Sequence, residues 1–235
     1  MQRSFVSQTL LASVTFAAAL LSGCAGAPDR ACENLFDGTT LAGWTALGDA
    51  SYTVEEGSIV GRAVYGVPNS FLRTDREFAD FDLSLEFQVD AGFNSGIQFR
   101  SAVAADTMRW NHQAGNGDRF VQVSAPGRVY GYQSEIDPTD RAWTAEIYEE
   151  GARGWLETFV KQPAKRMIEP GRWHAVRIRA VGDSLKTWLD GAPVAALRDT
   201  VRASGFVALQ VHAVGTPEEA GNTVRFRGLT LCAPD

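Results

Sequence analysis

Residues 131–138 read GYQSEIDP. Glu135 and Asp137 stand two apart, so an extended chain points both carboxylates, with Gln133, to one side, neighbours ~7 Å apart. Tyr132, Ser134 and Ile136 then point the other way. A carboxylate so placed can take a proton from a bound molecule, and an amide beside it can hold hydroxyl groups. The same alternation also describes the wet face of an ordinary strand, and these residues alone leave both readings open.

Two further stretches carry reactive groups. In NSGIQFR, residues 94–100, Asn94 and Gly96 permit a tight turn, after which Gln98 and Arg100 share one face. A guanidinium there can grip an oxygen-rich ligand or orient a carboxylate, or it can close a rim salt bridge. In LQVHAVG, His212 shares a face with Gln210 and is the best general acid, base or oxyanion donor among three histidines. His174 follows a tryptophan at the start of a strand and reads as structural; His112 lies in a polar loop and tells nothing. No H-x-H or H-E-x-x-H run marks a zinc site. Glu135, Asp137 and His212 include the ligand types for a hard divalent cation without a spacing that indicates one, so the cofactor is open.

Those groups need a scaffold. The chain has 235 residues, 45% hydrophobic and 21% charged, enough for one well-packed domain. Its formal charge of −6 and lack of any basic run argue against nucleic-acid partners. FDLSLEFQVD, residues 81–90, alternates apolar and polar over its whole length, the period of a strand with one buried face. SIVGRAV, SFLRT, SGIQFRS, WHAVRIRAV, SLKTWLDG, GFVALQVHA and TVRFRGLTL repeat the pattern between glycine-rich turns. SLKTWLDGAPVAAL reads as a hairpin turned at Asp190–Gly191. Helical periodicity is nearly absent: only residues 102–110 could form a turn or two, and residues 102–127 read as a long loop over a binding face. The fold class expected is all-β, a jelly-roll sandwich of two antiparallel sheets.

The N-terminus is a targeting segment. Arg3 precedes an apolar run, LLASVTFAAALL, too short to span a bilayer, followed by LSGC at residues 21–24. That tetrapeptide resembles a bacterial lipobox, which implies cleavage before Cys24 and lipidation of its thiol; a conventional signal cut near Ala25 is the alternative. The expected layout is a signal peptide over 1–23, a lipidated tether over 24–32 and a domain over 33–235. It places the protein on the bacterial cell envelope, at the periplasmic face or outer membrane, with the lipid as membrane anchor. Export favours disulfides. With Cys24 lipidated, Cys32 and Cys232 remain as a pair at the two ends of the domain.

NLFDGTTLAGW (34–44), YTVEEGSIVGR (52–62), FADFDLSLEFQVDAGFNSGIQFRS (78–101), GRWHAVRIRAVGDSLKTWLDG (171–191) and SGFVALQVHA with VRFRGLTL (204–231) together resemble the 3-keto-disaccharide hydrolase domain family. The resemblance runs over about residues 33–232. It implies a concanavalin A-like, laminin-G-like jelly roll and cleavage of glycosides already oxidised at C3. It also implies that the strand around residue 133 looks onto a carbohydrate pocket. The family's Y-E-x-Q-type strand is here Y-Q-S-E, with acid and amide exchanged. Under this reading Glu135, Asp137 and His212 are the catalytic candidates, and Gln133, Gln98, Arg100, Asn94, Trp143 and Gln210 the carbohydrate-binding ones.

Two alternatives stay beside it. Retaining glucanases of the same fold use E-x-D-x-x-E; here the string is E-I-D-P-T-D, with Asp140 in the last place and Pro138 breaking the ladder. A non-catalytic carbohydrate-binding lipoprotein is the other, since a fold does not imply its function. A 3-keto sugar asks only for a base at C2–H, an oxyanion stabiliser and a group to assist the leaving oxygen. Glu135 or Asp137, His212 and Arg100 are assigned to those tasks.

Overall fold

A computed structural model describes Met1, residues 31–156 and residues 167–234. Cys24 and nearly all of the expected signal peptide and tether lie outside the described residues. Among the described residues there are seventeen strands, and the only helical element is a 3-10 turn at Pro217–Glu219.

The strands form two sheets. The first orders β15 (Ala192–Arg198), β14 (Ser184–Leu189), β13 (His174–Val181), β6 (Phe81–Val89), β17 (Thr223–Cys232), β4 (Ser58–Arg62) and β3 (Ser51–Glu55), with β1 (Cys32–Asn34) paired to β17. The second orders β2 (Trp44–Leu47), β5 (Ser70–Phe78), β16 (Gly205–Val211), β7 (Ser95–Val103), β10 (Val129–Ile136), β11 (Ile147–Glu150), β12 (Gly154–Trp155), β8 (Met108–Gln113) and β9 (Arg119–Ser124). Pairing is antiparallel except for the short β12–β8 contact. This is the two-sheet sandwich that the alternation predicts.

The core is what the period-two pattern of β6 dictates. Phe81, Leu83, Leu85, Phe87 and Val89 are buried against Ile97, Phe99, Tyr132, Leu209 and Val211 of the facing sheet. Such rings and branched chains, removed from water at about 25 cal/mol per Å², supply the main driving force for folding. Cys32 and Cys232 stand opposite each other in the β1–β17 ladder and are joined by a disulfide. It closes a separation of 200 residues, for which chain entropy gives a stabilisation of roughly 5 kcal/mol. The turn at Asp190–Gly191 has both residues in the left-handed region (φ 48° and 78°), as a two-residue hairpin requires. His174 is structural: its Nδ1 lies 2.8 Å from Asp190 Oδ2, bracing that turn.

Residues 102–127 are not the loop or helical turns expected. They finish β7 and then form the β8–β9 hairpin, folded at Asn116–Gly117, where Gly117 takes φ 89°. Its polar, glycine-bearing sequence hid the ladder because β9 is an edge strand, exposed along most of its length.

Candidate functional site

The outer face of the second sheet carries a polar hollow of about 380 Å³. Its floor comes from neighbouring strands in register. Gln133 of β10 stands opposite Gln98 of β7 on one side and Tyr148 of β11 on the other, and Gln98 stands opposite Ala208 of β16. Alternation carries the same face to Glu135, Gln210 and Glu150, and His212 follows the end of β16. Asn69, Arg128 and Arg141, from segments outside the strands, stand around it with Trp155 of β12.

At its centre is Glu135, 5% exposed. Asn94 Nδ2 donates to Glu135 Oε1 at 2.6 Å, and Gln133 Nε2 donates to Oε2 at 2.7 Å. Gln98 Nε2 in turn donates to Gln133 Oε1, and Ser101 Oγ donates to Gln98 Oε1 at 2.8 Å. The relay aims the Gln133 amide at the carboxylate and keeps it from rotating freely. Burial pushes the Glu135 carboxyl up to about 7, against the pull of the Asn94 and Gln133 hydrogen bonds, with Asp137 adding repulsion and Arg141 opposing it. A carboxyl poised there can accept and release a proton near neutrality. Gly96, opposite Glu135 on β7, leaves room for this arrangement, since a Cβ there would overlap the Gln133 carboxamide.

Two more groups are prepared for a ligand. Gln210 is fully buried, and neither its amide nitrogen nor its carbonyl oxygen has a hydrogen-bond partner among the described residues. Leaving such an amide unpaired costs about 1–3 kcal/mol, so it calls for a bound oxygen or nitrogen. His212 Nδ1 lies 2.6 Å from the Ala213 carbonyl, which can only accept. Nδ1 therefore carries a proton, and Nε2 is the ring nitrogen not used in that bond. The Tyr148 phenol is held above its ordinary range, first by burial and then by the charges of Glu150 and Glu135, so it stays protonated and can donate.

The structure brings Glu135, Gln133, Asn94, Gln210 and His212 to one hollow, as the spacing suggests. Gln98 stands behind Gln133, supporting it. Three expected residues are elsewhere. Asp137 follows the end of β10 and turns into the loop: its Oδ1 accepts from the Thr139 amide (3.1 Å) and hydroxyl (2.7 Å), and its Oδ2 pairs with Arg141 Nε at 2.9 Å. Alternation stops where the strand stops, which removes Asp137 from the face of Glu135. Its task is to hold Arg141, so it does not form a cation site with Glu135 and His212; among the described residues no group of three or more acidic, His or Cys side chains is placed to hold a metal ion.

Arg100 is buried beyond reach of the hollow. Its guanidinium donates to the carbonyls of Ala79 (2.8 Å), Gly182 (2.7 Å) and Arg202 (3.1 Å) and to Asp80 Oδ1 (2.9 Å). A bulge is the reason: Arg100 has φ 46°, and register slips beside it in both neighbouring ladders. Gln98 and Arg100 consequently do not share a face. Trp143 does not line the hollow either; it packs edge-to-face on Trp155 at 4.8 Å, beneath the Arg141 guanidinium at 4.6 Å, and Trp155 is the ring that lines it.

Arg128, Arg141, Glu150 and Asn69 carry no sequence signal strong enough to single them out. Arg128 Nη2 donates to Glu150 Oε1 at 2.7 Å, and Asn69 Oδ1 accepts from the Ala213 amide at 2.9 Å, fixing the segment after His212. Tyr148 and Glu150 were accessible through the alternation of IYEE, residues 147–150, had its pairing with β10 been known.

Comparison with other proteins agrees with this architecture. The chain is similar in structure to a provisionally assigned glycosyl hydrolase from Parabacteroides distasonis (TM-score 0.56, 18% identity, covering 87% of this chain and 94% of that one). It is also similar to a Bacillus subtilis protein of unknown function with a galectin-like fold (TM-score 0.55, 10% identity, 80% and 88% covered). A third likeness is to the Emp47p carbohydrate recognition domain (TM-score 0.51, 14% identity, 86% and 94% covered). At these identities the likeness concerns the fold. No curated protein matches the chain. The 3-keto-alpha-glucoside-1,2-lyase-like domain matches residues 31–232, from the first cysteine-bearing strand to the last, and the chain belongs to that family.

Proposed function

We propose that this protein cleaves glycosides oxidised at C3, with Glu135 as the base. The observation that carries the reading is the buried Glu135 carboxyl, pushed up to about 7 and gripped by two amide donors in a sugar-sized polar hollow. Family membership supports the substrate class.

A ketone at C3 acidifies the hydrogen on C2. Glu135 removes that proton, the C2–H electrons form a C1–C2 double bond, and the C1–O bond breaks with its pair on the leaving oxygen. Donors around the hollow, among them the Tyr148 phenol and the Gln210 amide, suit the developing oxyanion. Water adding across the double bond, with a proton returned to C2, completes a net hydrolysis. A close carboxylate pair of the retaining type is not required.

Glu135→Gln keeps the side chain's shape and removes the base. It should lower turnover of a 3-keto glucoside by at least ~10³-fold while circular dichroism remains that of the native fold. Wild-type rates in the variant would exclude Glu135, and tight binding of 3-keto glucosides by the native protein without any product would make it a lectin. Export and lipidation at Cys24 belong to the same proposal, supported by the LSGC run behind an apolar segment.

A further inference from the structure

A second hollow of about 320 Å³ adjoins the polar one, and Asn69 and Arg128 line both. Its character is different. Phe71 and Val129 form its floor, part of a small apolar cluster with Phe206 and Ala208 that is separate from the main core, and Leu47 packs against that cluster. Pro68, Ala125 and Pro126 add apolar walls, and Asp49 stands along it as the one acidic residue. The face of the second sheet is therefore split: β10 presents Gln133 and Glu135 at one end and Val129 at the other, and β16 presents Gln210 at one end and Ala208 and Phe206 at the other.

We infer that this hollow is the leaving-group subsite and that it takes an apolar, ring-bearing aglycone in preference to a second sugar. The inference rests on the proposed function and sharpens it to aryl glycosides. A second sugar would bring several hydroxyls, each costing about 1–3 kcal/mol if buried without a partner. The hollow offers few: Asn69 Oδ1 is already held by the Ala213 amide, Arg128 Nη2 already donates to Glu150, and Asp49, the one carboxylate along it, belongs to an exposed residue that stays in water. An aromatic ring needs none, and Phe71 with flanking prolines gives it a surface to pack on.

The shared wall points the same way. A substrate spanning both hollows must pass its glycosidic oxygen by Asn69 and Arg128. Neither side chain gives up a proton near neutrality, so they assist a departing oxygen by hydrogen bonding and charge alone. That suffices for an aryloxide, which leaves with the C1–O electron pair and takes its proton from water afterwards. Glu135 holds the C2 proton, and no other reactant is needed.

The test uses two ligand pairs and one variant. Ala125 is exposed on the rim, so Ala125→Glu places a charge at the hollow's mouth without disturbing the core. Binding is measured by calorimetry with phenyl and methyl glucosides, and kcat/KM with their 3-keto counterparts. Phenyl ligands should bind the native protein at least tenfold more tightly than methyl ones, and Ala125→Glu should reduce the phenyl-to-methyl ratio of kcat/KM at least tenfold. Equal binding of phenyl and methyl ligands, or a variant that lowers both substrates alike, overturns the subsite. If no 3-keto glucoside is turned over, the proposed function fails, and the binding ratio and its loss in the variant still decide the subsite.

Discussion

The outer faces of the two sheets are built from the same alternation and have come to different ends. On the first sheet, Asp82 and Arg177, Glu86 and Arg227, and Glu55 and Arg62 pair across strands, with most of their partners open to water. Arg227 also lies over the Trp173 ring at 3.9 Å. On the second sheet the corresponding positions are Gln98, Gln133, Glu135 and Gln210, all nearly or fully buried and mostly uncharged amides. The first face stays solvated and its ion pairs screen one another cheaply. The second is bordered by β11, β12 and segments carrying Asn69, Arg128 and Arg141, so its polar groups lose water, and Gln210 gains no hydrogen-bond partner among the described residues in exchange. Polar atoms that fold into a dry, incompletely paired state mark where a ligand is expected; polar atoms that fold into a wet one do not.

The sharpest way to test that contrast is pH. Glu135 is pushed up to about 7 in the native protein, above its ordinary value of 4.5, so the native state binds the extra proton between those limits. Its contribution to stability is fully present below about pH 4.5 and is lost as pH rises through 7. That loss amounts to on the order of 3 kcal/mol. Urea titrations across this range should show Glu135→Gln lacking the slope and exceeding the native protein in stability above pH 7. Parallel curves for the two proteins would mean that Glu135 is not dry.

A smaller effect of the same sign is expected at Gln210. Replacing it with Met keeps the length and removes two unpaired polar atoms, so the midpoint of thermal unfolding should rise by the equivalent of ~1 kcal/mol while glucoside affinity falls. A destabilised Gln210→Met that still binds glucosides normally would show the amide to be structural. The smallest change belongs to the first sheet. Arg227→Ala removes a half-exposed ion pair with Glu86, and it should shift stability by less than ~1 kcal/mol and leave turnover at the native rate. A marked loss of turnover there would erase the distinction between the faces.

Much of the frame was legible in the amino-acid order. The alternation in FDLSLEFQVD became β6 with its apolar side chains in the core, and the DG turn closed the hairpin it promised. The pairing of Cys32 with Cys232 was expected from the cysteine count once Cys24 is set aside, and the ladder sets the two residues opposite each other. At the site, the face-sharing of Gln133 with Glu135 could be read because strand β10 is regular across them. Failures occurred where regularity broke: the bulge at Arg100 turned its side chain away, and the end of β10 at Ile136 released Asp137 into a loop.

Local sequence thus determined the strands and their inward faces and narrowed the central carboxylate to Glu135 or Asp137, because side-chain period and turn chemistry act over two to ten residues. Tertiary structure decided which of two similar polar faces became a hollow, which arginines border it, and how an apolar recess came to adjoin it. Those outcomes depend on strand order and on segments distant in the chain meeting at one edge, and no short-range pattern carries that information.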